Sequence, residues 1–163
     1  MKNSEADKII ESLSLSKHPE GGWYTETYRS TVNVELDQGQ RSLATVIYFL
    51  LKSEEFSAFH RLKSDEFWYF HQGSPLEISV IGTDGLFSTF TLGPAGEKSV
   101  KPQLLLPAGC WFAAKCLEKS SYSLVSCSVH PGFDFKDFEM AERALLLKKY
   151  PQYRSVIEKL CPE

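Results

Sequence analysis

The sequence is short of cysteine and of long apolar runs and has no large excess of charge of one sign, and each shortage excludes something. Four cysteines (Cys110, Cys116, Cys127, Cys161) occur in 163 residues, none of them in a CxxC pair. That spacing gives no structural-zinc, redox or disulfide framework, and the thiols read as reduced, mostly buried small hydrophobes. The longest predominantly apolar run, Ala44–Leu51, is far below a membrane span. Residues 1–13 place a charge every few positions and have no apolar core, so no export signal is expected and the location reads as cytoplasmic. With 18 Lys+Arg against 21 Asp+Glu and no basic stripe, neither nucleic acid nor an anionic membrane is expected as a partner. No internal repeat or low-complexity linker breaks the chain.

What is present is the composition of a globular domain: 42% hydrophobic and 24% charged. A chain of this length can bury roughly 70% of its unfolded surface, so one domain over 1–163 is expected. Ser4, Glu5 and Asp7 ahead of Ile9, Ile10 and Leu13 predict an N-terminal helix. From Trp23 to Ala114 the texture turns to short runs of β-branched and aromatic residues between Gly, Pro and Asp turns. Strands are predicted near 23–30, 42–51, 56–62, 66–71, 76–81, 86–92, 101–106, 111–115 and 121–129. Many short strands at this spacing mean an all-β sandwich or barrel, with its core at about 22–130. Phe138, Ala141, Leu145 and Leu146 fall on one helical face, and Pro151 opens a second short helix, so helices are expected over about 135–160.

The stretch His60-Arg-Leu62-Lys-Ser-Asp-Glu66-Phe-Trp-Tyr-Phe-His-Gln-Gly73 resembles the first motif of the cupin superfamily, H-x-H-x(3,4)-E-x(6)-G. Leu62 stands at the second His position. Pro107-Ala-Gly109-Cys-Trp-Phe112 resembles the second motif, with Phe112 at its His position and Cys116 at its Asn position. The blocks His18-Pro-Glu-Gly-Gly-Trp-Tyr, Glu26-Thr-Tyr-Arg-Ser30, Ser64-Asp-Glu66, Trp68 and Pro131-Gly-Phe-Asp-Phe are similar to the small single-domain cupins catalogued as a domain of unknown function. The resemblance implies a jelly-roll barrel, a double-stranded β-helix, with His60 and Glu66 pointing inward. It also implies pairing through sheet edges, and a homodimer is expected, using the mixed aromatic and polar strand from Trp23 to Ser30.

A typical metal-binding cupin surrounds its metal with two His and a Glu from the first motif and a His from the second. Leu62 and Phe112 remove two of those four ligands, so no metal and no cofactor is expected; a thiolate from Cys110 or Cys116 is the remaining route to a site. A buried His–Glu pair without a metal can still move a proton near neutral pH. Metal-free sugar-nucleotide 3,5-epimerases of the same superfamily use a barrel histidine in this way. The expected function is therefore a small-molecule pocket serving a metal-independent isomerase or epimerase of a small carbohydrate or keto compound. Here His60 is the base and Glu66 its partner or the acid. Arg29 or Arg61 is the anion clamp, and Tyr48, Trp68, Trp111 and Phe112 form an aromatic wall. The alternatives are a non-catalytic sugar-like binding protein and a metal-dependent cupin with a reduced ligand set. His71 falls on the outward parity, and His18 and His130, each before a proline, read as extended-chain positions rather than ligands.

Overall fold

Side chains alternate across a strand, so a barrel wall built from β-branched and aromatic runs presents one set inward and another outward. The computed structural model describes residues 4–163 and shows this alternation throughout. In chain order the elements are α1 (Glu5–Ser12), β1 (Ser16–Lys17), β2 (Trp23–Arg29), β3 (Asn33–Leu36), β4 (Gly39–Ser42) and β5 (Thr45–Lys52). There follow β6 (Phe56–Leu62), β7 (Asp65–Gly73), β8 (Leu76–Ile81), β9 (Phe87–Leu92), β10 (Val100–Lys101) and β11 (Gln103–Leu106). The chain ends with β12 (Trp111–Cys116), β13 (Tyr122–His130), β14 (Phe138–Met140), α2 (Arg143–Lys149) and α3 (Arg154–Leu160).

Two six-stranded sheets, ordered β1-β2-β5-β13-β7-β11 and β10-β9-β8-β12-β6-β14, face each other as the two walls of a jelly roll. Strands β3 and β4 form a separate hairpin. Phe49, Leu51, Trp68, Ile78, Leu106, Phe112 and Val125 fill the space between the walls. The second sheet's outer residues Phe59, Ile81, Trp111 and Ala113 are covered by Leu146, Tyr150, Ile157 and Leu160 of the C-terminal helical segment. Helix α1 covers the first sheet through Ala6, packed with Leu50, Tyr122 and Leu124. Its start is a capping box: Ser4 Oγ accepts from the Asp7 N–H while the Asp7 carboxylate accepts from the Ser4 N–H.

The predicted C-terminal helix is corrected at its start. After a single 3-10 turn at Phe135–Asp137, Phe138–Met140 is a strand that pairs with β6, setting Phe138 opposite Leu62 and Met140 opposite His60, and α-helix begins only at Arg143. The open edge of β6 offered backbone hydrogen bonds that outweighed a helical period carried by four residues, one of which, Leu145, is exposed. The Pro102 break divides the strand expected at 101–106 into β10 and β11.

Two features bring the ends of the chain over the barrel mouth. Gly21, at φ +107°, presses against the Phe56 carbonyl so closely that a Cβ would overlap its oxygen. The neighbouring Ala58 N–H donates to the Glu20 carbonyl at 2.8 Å, fixing the 18–22 turn onto β6. On the other side the segment 132–138 is strapped down. The Gly132 N–H donates to Ser42 O at 2.7 Å, the Phe133 N–H to Thr45 Oγ1 at 2.9 Å, and buried Arg41 grips Asp137 through two hydrogen bonds of 2.7 and 3.0 Å. Gly21→Ala combines a left-handed φ with a backbone overlap. It is expected to cost at least about 1–3 kcal/mol, read as a lower midpoint in chemical denaturation, whereas Gly96→Ala, where a Cβ meets nothing within 4 Å, should cost less.

Candidate functional site

Between the two straps lies a cavity of about 530 Å³. Ten of its lining residues set its chemistry: His18, Glu20, His60 and Glu66 inside, Tyr24, Phe49, Trp68 and Phe138 on the walls, and Glu26 and Arg29 toward the mouth. Parity places the central pair as the sequence predicted. His60 and Leu62 project inward from β6, and Glu66 and Trp68 from β7.

The partner of His60 is not Glu66, however. His60 Nε2 lies 3.0 Å from Glu20 Oε2, and the His60 Nδ1–H donates to the Ala58 carbonyl at 2.7 Å. A carbonyl only accepts, so the Nδ1 proton is fixed and Nε2 is the nitrogen left facing Oε2. Glu20 Oε1 accepts from Ser57 Oγ at 2.8 Å. His18 completes the row: its Nδ1 accepts from the Glu20 N–H at 3.3 Å and sits 3.4 Å from Oε2. The expectation that His18 is only an extended-chain position is corrected, because the glycine turn after it folds both His18 and Glu20 into the barrel. Glu20 was missed altogether. Its signal was the block His18-Pro-Glu-Gly-Gly, where two glycines permit an approach that strand parity does not describe.

Desolvation governs the charges. Burial holds the His60 imidazole down at about 3 and His18 at about 4, so both are neutral at physiological pH. Glu20 is raised well above the ordinary carboxyl range, first by burial and then by the nearby Glu66 charge. Burial raises Glu66 to about 8; Trp68 and Cys127 lie near enough to temper that shift. Neither closes a full hydrogen bond on it, since Glu66 Oε2 and Trp68 Nε1 are both buried with no partner within bonding geometry.

The other expected site residues separate by face. Arg29 lines the cavity but is held by both oxygens of Glu26, at 2.9 and 2.7 Å, and by the Phe133 carbonyl at 3.1 Å. Phe112 packs edge-on to His60, ring centroids 4.1 Å apart, within the core. Arg61 and Trp111 have the opposite parity and stack on each other outside the barrel, 4.5 Å apart, with Arg61 bound to Glu139. Tyr48 faces outward toward α1 and His71. These three are corrected as candidate ligand contacts, since alternation along β5, β6 and β12 turns them away from the cavity. The donor set does not fit a cupin metal: Leu62 and Phe112 stand at two ligand positions, and among the described residues no three His, Cys, Asp or Glu side chains are placed to hold an ion. Cys110 and Cys116 do not restore the count, since neither lines the cavity; burial pushes both thiols up to about 12.

The raised Glu66 has a pH signature. Between about 4.5 and about 8 the folded chain keeps a proton that the unfolded chain releases, so this group's contribution to stability falls as pH rises through that window and levels off above it. Glu66→Gln mimics the protonated form and removes this dependence. Its stability relative to the parent should grow from pH 5 to pH 8, by on the order of a few kcal/mol, and then stay constant. Denaturation midpoints of both proteins across that range check it; a constant difference would contradict a carboxyl held neutral.

The family described as Cupin superfamily (DUF985) matches residues 7–141. A solved structure of protein SO0799 from Shewanella oneidensis is 42% identical, superposes with a TM-score of 0.89 and covers 99% of each chain. A hypothetical protein from Leishmania major is 37% identical, with a TM-score of 0.91 over 99% of this chain and 100% of its own. The uncharacterized protein YML079W of Saccharomyces cerevisiae is 28% identical over 149 residues, 82% of this chain and 74% of its own length. With the family match spanning most of the barrel, both motif glycines in place and these likenesses end to end, the chain belongs to the DUF985 family of the cupin superfamily.

Proposed function

We propose that the cavity binds a small carbohydrate or keto compound and that the chain is a metal-independent isomerase or epimerase of it. The observation that carries this reading is Glu66, a carboxyl inside the cavity with a free oxygen and a pKa of about 8. An acid–base group works best when it titrates near the working pH. His60, first assigned as base, has both ring nitrogens engaged, so Glu66 meets the ligand directly. As carboxylate, Glu66 takes a proton from the carbon beside a ketone, leaving an enolate. Glu20, a cavity-lining carboxyl that burial keeps protonated, returns a proton to carbon, and solvent then resets both groups. A non-catalytic binding protein is the second reading, and the full engagement of His60 favours it.

The family resemblance also suggests a homodimer. Strand β1 pairs with β2 only at Trp23 and Tyr24, so Thr25–Arg29 has no strand on its outer side among the described residues, and Tyr28 there is exposed. Light scattering at micromolar concentration should give twice the chain mass; a monomer would sink this part. The four unpaired thiols support a reducing, cytoplasmic setting. No described helix is long and apolar enough to cross a membrane.

Proton NMR in D₂O tests the reaction. A bound ketose or keto acid should lose its α C–H signal, and Glu66→Gln should slow that loss by roughly 10²–10⁴-fold without unfolding the chain. Binding with no exchange in the parent protein would establish the second reading in its place.

A further inference from the structure

Two groups in the cavity have unmet bonding capacity, and the charges around them restrict what can meet it. Trp68 Nε1 and Glu66 Oε2 are buried, unpartnered and borne two residues apart on the inward face of β7. Buried polar atoms in proteins almost always have partners, so two such atoms on residues that line a cavity mark a place for a ligand atom. The indole N–H only donates. It therefore requires an acceptor.

Among the described residues no lysine lines the cavity, and its arginine, Arg29, is already bound by Glu26 and Phe133 O. A phosphate or carboxylate entering would meet no free cation among the described lining residues, and would face Glu26 and Asp134 at the mouth. An ammonium group suits those carboxyls but leaves the Trp68 N–H unmet. The walls Tyr24, Phe49, Phe133, Phe135 and Phe138 are aromatic and suit the C–H face of a ring.

We infer that the ligand is uncharged and that one of its oxygens, a carbonyl or a hydroxyl, is held by the Trp68 Nε1–H and the Glu66 carboxyl. This rests on the reading of the cavity as a site for a small carbonyl or carbohydrate compound. It names the class within that reading: neutral sugars, ketoses and lactones, not their phosphates or nucleotide conjugates. It also gives Trp68 a role through its N–H rather than its ring face. While Glu66 is protonated, both groups donate to the same oxygen.

The test is a ¹⁵N spectrum of the indole region, where the chain's three tryptophans give separate N–H signals, assigned by single Trp→Phe variants. D-fructose and glucono-δ-lactone are titrated as neutral probes, fructose 6-phosphate and dTDP-glucose as anions, and glucosamine as a cation. Neutral probes should shift the Trp68 signal and bind at least about tenfold more tightly than the anions. Trp68→Phe, which keeps an aromatic ring, should weaken them about 5- to 10-fold. The inference is overturned if a phosphate ester or glucosamine binds more tightly than the neutral probes. It is equally overturned if neutral probes bind with the Trp68 signal unmoved, or if none of them binds. The wild-type spectrum keeps the test decisive even where Trp68→Phe folds poorly. Its failure is separable from that of the proposed reaction. A Trp68 shift without deuterium exchange defeats only the reaction, and exchange on a phosphorylated ligand defeats only the inference.

Discussion

The 3.0 Å contact between the buried His60 and Glu20 side chains is the constraint on which the site's electrostatics depend. Removing a carboxylate and an imidazolium from water separately is expensive, and a pair kept neutral by burial avoids most of that expense. The pair forms only because the Gly21 turn lets the chain pass against the Phe56 carbonyl and set Glu20 over β6. Once Glu20 is there, His18 follows on the same turn, and its ring lies edge-on to Tyr24 with centroids 4.5 Å apart. The interior then contains two imidazoles and two carboxyls yet little net charge, a condition that suits an aromatic-walled barrel.

The cavity's opening is built differently, from formal charges. Arg41 with Asp137, and Arg29 with Glu26 and the Phe133 carbonyl, clamp the segment after β13 onto the β3–β4 hairpin and the β2 edge. That segment carries Phe133, Phe135 and Phe138 over the cavity. Charges at the rim are therefore spent on holding the roof, and the interior is left to neutral hydrogen bonds. The division explains why an arginine that lines the cavity is not available to a ligand.

Much of this was legible before any coordinates. The strands from β5 to β9, with β12 and β13, follow from runs of β-branched and aromatic residues between turn signals; parity put Leu62 on the face of His60 and Trp68 on that of Glu66, and the cupin resemblance turned those faces inward. What parity cannot show is a residue delivered by a turn. His18 and Glu20 precede β2, and their place depends on a glycine's close backbone contact with a strand far along the chain. The same parity, carried to Arg61 and Trp111, excludes both, since each adjoins an inward residue, His60 and Phe112. The expectation set their chemistry above their position. At Phe138 a local helical period lost to the pairing demand of a sheet edge, which short sequence windows do not contain.

The alternation on β6 and β12 has a further bearing on how such a chain can change over time. His60 and Phe112 face the cavity side, while their neighbours Phe59 and Trp111 dock the C-terminal helices. Exchanges at every second position can therefore remodel the chamber while the helical cover keeps its footing. An inserted or deleted residue in either strand would transpose the two surfaces at once. Divergence among such barrels should thus accumulate as replacements within these strands, with length differences confined to the loops that join them.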